Sequence, residues 1–154
     1  MAQKYQNLKS FCKELFGWKL SKQELKNQVE NYDSLTLFGS FRKISASLMF
    51  FIAILNLFYL VMYYFQPTDP FSLFYLIDIS MLIILATAVY QGMKQAIFIS
   101  IIFWTMEVFY QIYCDIGNNN IVDIFLSLFF WAIFINIFYK TWVIEKERQK
   151  QKLN

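Results

Sequence analysis

The chain has 154 residues, 58% of them hydrophobic and 21% aromatic, with 16% charged and a formal net charge of +3. So much apolar side chain on so small a body excludes a disordered protein, a collagen and an ordinary soluble enzyme, and it points to an integral membrane protein. The absence of any His removes Ser-His-Asp catalysis, imidazole bases, His-ligated haem and most catalytic zinc sites.

Residues 1–43 read as a cytosolic amphipathic helical segment. Leu8, Phe11, Cys12 and Leu15 follow the i, i+3, i+4, i+7 spacing of one helical face, with Lys9 and Lys13 on another. Gly17 ends that helix. A second starts at Ser21, where Ser21 and Glu24 form a capping box and Leu20 and Leu25 the flanking hydrophobic staple. Two surfaces suit this segment. One is the anionic inner leaflet, with Trp18 at the interface. The other is the cytoplasmic end of the helical bundle, or a partner protein. Nucleic acid is not expected, because eight bases against four acids is a modest excess.

Four apolar runs follow, at about 44–65, 71–93, 95–114 and 121–143. Each approaches the roughly 20 residues that cross a bilayer as a helix. Helix is the expected state, because inside lipid every backbone amide must be paired within its own segment. Gln66-Pro67-Thr68-Asp69-Pro70, Gln91-Gly92-Met93-Lys94 and Asp115-Ile116-Gly117-Asn118-Asn119-Asn120 are short, turn-rich connections. Links this short make neighbours antiparallel, so the expected fold is all-α: a four-helix up-down bundle in the membrane. Residues 144–154 read as a solvated cytosolic helical tail, supported by Glu145 with Arg148 and Glu147 with Lys150.

The bases set the orientation. Eight lie in residues 1–43, Lys94 lies in the second connection, and Lys140, Lys146, Arg148, Lys150 and Lys152 lie at the C-terminal end. The first and third connections hold none, so four passes with both termini in the cytoplasm put every base inside. An apolar run that begins only at residue 44 is not a secretory signal. Glu14, Glu24, Glu30 and Asp33 interrupt the basic region and argue against a transit peptide, which favours a bacterial inner membrane. Tyr59, Tyr63, Tyr64, Tyr75, Tyr110 and Tyr113 form an outer aromatic belt, and Tyr90, Tyr139 and Trp142 an inner one. Cys12 and Cys114 fall on opposite sides of the membrane, so neither a disulfide nor a shared metal site is expected. Gly17, Gly39, Gly92 and Gly117 are isolated and make no phosphate loop; no cofactor is expected.

Chemistry is concentrated in acids. Asp69, Asp78, Glu107, Asp115 and Asp123 all fall in the outer half or the outer loops, without a base beside them. Counting 1.5 Å per residue from Pro70 and Asp115 places Asp78 and Glu107 about 12 Å below the outer boundary, with Asn56 and Ser127 at about 10–15 Å. Asp123 sits just above. An Asp at mid-membrane opposes insertion by roughly 2.5–3.5 kcal/mol, so these side chains should face the bundle interior or a wet cleft rather than lipid. Asp78, Glu107, Asp123, Asn56 and Ser127 are therefore the candidate site. They either specify helix pairing through hydrogen bonds or bind a cation, a proton or a basic ligand.

The Phe41-Arg42-Lys43 lead into the first span, the Gln91-Gly92-Met93-Lys94 turn, and a last helix leaving as Phe138-Tyr139-Lys140 into Glu145-Lys146-Glu147-Arg148 resemble a class of small bacterial four-helix membrane proteins of unassigned activity. The resemblance implies fold and location. In size and helix count the chain is also similar to small multidrug exporters, but those carry their essential carboxylate in the first span, which is uncharged here. The expected function is that of a non-enzymatic, multi-pass inner-membrane protein of structural or accessory type. Its partners are the lipid bilayer and a protein at the cytosolic termini. The alternative is a small cation- or proton-coupled transporter or ligand sensor built on the intramembrane carboxylates, acting as a homo-oligomer because four short helices enclose little volume.

Overall fold

The computed structural model describes residues 17–64, 73–117 and 120–153. The amphipathic run from Leu8 to Leu15, Cys12 and the two-proline connection lie outside these residues. All the described regular structure is helical: α1 (Lys22–Glu30), a 3-10 turn (Leu37–Gly39), α2 (Phe41–Tyr64), α3 (Leu73–Tyr90), α4 (Lys94–Gly117) and α5 (Ile121–Leu153). Three of them, α2, α4 and α5, are long and apolar enough to cross a membrane. The apolar part described in α3, Leu76–Tyr90, is shorter.

The bounds differ from expectation in ways the local chemistry explains. The first apolar helix starts at Phe41 rather than residue 44, because Gln28 accepts a hydrogen bond from the Phe41 N–H at 3.4 Å and so satisfies one free amide of its first turn. The last span and the tail are one helix of 33 residues. Nothing between Ile121 and Leu153 breaks it, since neither Gly nor Pro occurs there. Lys150 and Lys152 in its last turn suit the negative end of the helix dipole. At 1.5 Å per residue α5 is about 50 Å long, against a hydrocarbon core of about 30 Å.

The turn between α3 and α4 is closed by Gly92 at φ 80°. Its N–H donates to the Val89 carbonyl, and the Met93 N–H to the Ala88 carbonyl, each at 3.0 Å. This is the Schellman arrangement, in which glycine takes the left-handed position that a Cβ disfavours.

Helix α2 packs on α3 and on α5, α4 packs on α5, and α1 lies against α5. Trp104 stacks on Phe134 with centroids 4.5 Å apart, and Phe109 meets Trp131 edge-on at 6.4 Å. A step forward along α4 thus corresponds to a step back along α5, so these two run antiparallel. The main core joins Ala46, Met49 and Ala53 of α2, Leu82, Leu85, Ala86 and Val89 of α3, Ala96 and Ile97 of α4, and Phe134 and Phe138 of α5. The alanines let the helices approach, and Phe138, stacked on Phe134 at 4.1 Å, fills the space between them.

Only 28, 17 and 22% of the most apolar windows in α2, α4 and α5 are buried. Ile54, Phe58, Ile84, Phe98, Met106 and Phe125 are each more than half exposed. An apolar surface this continuous is characteristic of a body whose solvent is hydrocarbon. Phe138→Ala should lower stability by about 3–5 kcal/mol, whereas Phe130→Ala, at a side chain 59% exposed, should change it little. Denaturation of the purified variants in one detergent checks both.

Candidate functional site

Helical periodicity puts four of the candidate side chains on core-facing stripes. Asn56 continues the stripe of Met49, Ala53 and Leu60 on α2, and Asp78 that of Leu82, Leu85 and Val89 on α3. Glu107 continues Ile97, Ser100 and Trp104 on α4, and Ser127 continues Phe134, Phe138 and Thr141 on α5. Asp78 precedes Gly92 by 14 positions and Glu107 follows it by 15, so the two stand at one level.

This end still buries Leu60, Ile79 and Val108, but the four candidates themselves are less covered. Asp78 and Glu107 are exposed, and Asn56 and Ser127 are half-buried. No hydrogen bond links these four among the described residues. An apolar groove of about 570 Å³ between Ile77 of α3 and Ile99 of α4 is lined by neither acid.

Asp123 lies in the first turn of α5. Asn120 caps α5: its carbonyl accepts from the Ile124 N–H at 3.2 Å, while its side-chain amide donates to the Asp123 carboxylate. An acid in the first turn also faces the positive end of the dipole. Asp115, read from sequence as part of a connection, is helical and lies on the stripe of Trp104 and Val108, with one carboxylate oxygen buried and unpartnered among the described residues. Periodicity carried one turn further would have found it.

A second polar assembly lies at the Gly92 end. Ser21 caps α1 by accepting from the Glu24 N–H at 3.2 Å, as expected. Leu20, Leu25 and Val29 then pack with Phe41, Ile137 and Ile144. The described part of the N-terminal segment therefore sets its apolar face on α5 and α2, which is the second of the two surfaces considered for it. Trp18 remains 59% exposed. Gln28, 2% exposed, donates to the Gly39 carbonyl at 2.6 Å and to Glu24 at 2.8 Å, tying α1 to the 3-10 turn.

One turn on, Tyr32 donates its hydroxyl proton to Glu145, which has no exposed surface. The expectation of a solvated tail fails here, because α1 and the loop after it cover this face of α5. Arg148 stands 3.5 Å from the second Glu145 oxygen, an ion pair outside hydrogen-bond geometry. The guanidinium carbons of Arg42 and Arg148 lie 3.8 and 3.5 Å from the Tyr32 ring centre. On one face they would nearly coincide, so they flank the ring on opposite faces. Arg42 also reaches Asp33 at 3.4 Å. Deeper in, Ser45 and Thr141 hydrogen-bond at 2.8 Å.

Gly92 completes the enclosure. A Cβ there would strike the Tyr32 hydroxyl and stand 3.1 Å from both Glu145 oxygens. Burial raises the Glu145 carboxyl above its ordinary range, against the lowering effects of the Tyr32 hydrogen bond and of Arg148 and Arg42. Burial and the Glu145 carboxylate together push the Tyr32 phenol up. The assembly holds paired charges without a nucleophile, and its chemistry is that of a clasp.

Gly92→Ala should destabilise the protein by about 2 kcal/mol or more, from the left-handed backbone plus displacement of Tyr32; thermal unfolding measures it. The raised Glu145 group binds its proton more tightly folded than unfolded, so its protonated form favours folding. That contribution is complete below the ordinary value of 4.5 and is lost as pH rises through the folded value. Wild-type stability relative to Glu145→Gln should therefore fall with rising pH across that window, as unfolding midpoints measured from acid to neutral pH will register. Comparison with protein-family models, curated proteins and solved structures found no significant match.

Proposed function

We propose that this chain is a four-pass protein of a bacterial inner membrane, with both termini cytoplasmic and a non-enzymatic, accessory role. The observation that carries the reading is the clasp around Glu145. It builds a folded body from α1, the 3-10 turn and the end of α5, on the side where sequence places all 14 bases. Such a body is a docking platform fixed to a membrane anchor. Its free face holds Lys19, Lys22, Gln23, Lys26 and Asn27, all exposed, and suits an acidic protein surface.

The topology is tested by single engineered thiols. Thr68→Cys and Asn119→Cys should react with an impermeant reagent from outside the cell only; reaction from the cytosol would overturn the reading. Charge reversal at Lys19, Lys22 and Lys26 should leave folding intact and remove crosslinks to a partner in cells. Unchanged crosslinks would refute the platform role.

A second reading rests on Asp78 and Glu107, which are accessible, at one level by helix count and on core-facing stripes. It is a cation- or proton-coupled carrier or ligand sensor, assembled from several copies. Asp78→Asn with Glu107→Gln should then abolish cation or proton flux in proteoliposomes, and unchanged flux would end this reading.

A further inference from the structure

Tyr139, Trp142 and Lys146 share one face of α5 at i, i+3 and i+7. The rings of Tyr139 and Trp142 lie 6.3 Å apart. Lys146 brings its ammonium to 5.1 Å from the Trp142 ring centre, and Lys94, the first residue of α4, brings its own to 5.6 Å from the same centre. Neither lysine forms an ion pair among the described residues. The acids beside Lys146 are already engaged, Glu145 with Tyr32 and Arg148, and Glu147 with Lys150 at 3.2 Å. Two like charges from different helices are thus gathered on one indole, and no acid among the described residues pairs with them.

Their level is informative. Lys94 directly follows the apolar run that ends at Met93, and Lys146 lies three residues beyond Val143, about 4.5 Å further along the helix. This is the depth of lipid headgroups, where Trp and Tyr are favoured. From Lys94 the same side of α4 continues through Phe98 and Ile102, which are 56% and 45% exposed and offer an apolar path.

We propose that Lys94, Trp142 and Lys146 seat the phosphate of an anionic phospholipid from the adjacent leaflet, with an acyl chain along Phe98 and Ile102. The seat rests on the four-pass reading above. Its ligand class follows from charge complementarity, an aromatic floor at headgroup depth and the apolar track beyond.

The test uses the full chain in neutral detergent, titrated with phosphatidylglycerol while the thermal midpoint is followed. Phosphatidylglycerol should raise the midpoint, and phosphatidylcholine and inorganic phosphate should not. Lys94→Gln with Lys146→Gln should weaken the apparent affinity roughly 30-fold. Lys94→Arg with Lys146→Arg should preserve it, as should Lys22→Gln with Lys152→Gln, which removes equal charge away from the indole. An undiminished response in the first pair, an equal loss in the last, or a response to phosphate alone overturns the seat. Should the first pair not fold, brominated phosphatidylglycerol on the wild type decides: it should quench tryptophan emission more than brominated phosphatidylcholine, and equal quenching overturns the proposal. Failure of the four-pass reading is visible separately, as a chain that stays monodisperse without detergent.

Discussion

Glu145 is an acidic side chain with no exposed surface, and the end of the molecule near Gly92 is organised around it. An ionised carboxyl removed from water needs partners or a proton. Tyr32 supplies a hydroxyl, Arg148 and Arg42 supply positive charge, and burial still holds the group above its ordinary range. Each partner comes from a different stretch of chain. Satisfying Glu145 therefore brings the loop after α1, the start of α2 and the end of α5 together, with the Gly92 turn closing over them.

The opposite end follows a different logic. Between Gly92 and the core phenylalanines the helices meet through alanines and stacked rings. Further along, the core-facing stripes carry Asn56, Asp78, Glu107 and Ser127 in place of apolar residues, and these four are exposed or half-buried beside the buried Leu60, Ile79 and Val108. Polar side chains there replace the van der Waals contacts that draw the helices together elsewhere.

Much of this was legible in the residues. Four apolar runs predicted helices, three of which are long enough to span a membrane, and the Ser21 cap, the Gly92 turn and the Glu145–Arg148 pair sit where spacing placed them. The level shared by Asp78 and Glu107 followed from counting helix rise. The clasp did not, because Tyr32 and Glu145 are 113 positions apart and nothing local to either announces the other. Charge pattern near Glu145 suggests a solvated helix end, and only tertiary packing reverses that. Asp123 read as a ligand candidate by depth, and its carboxylate accepts from the Asn120 side chain three residues before it, a local contact that spacing alone did not announce.

The unbroken α5 has a mechanical consequence. A rod without a hinge moves as one piece, so a change of tilt among lipids must swing its far end. Leu153 lies ten residues beyond Val143, a lever of about 15 Å, and a rotation of about 10° there sweeps its tip through about 3 Å. With Tyr32 and α1 gripping that lever, the tilt of α5 and the posture of α1 become one variable.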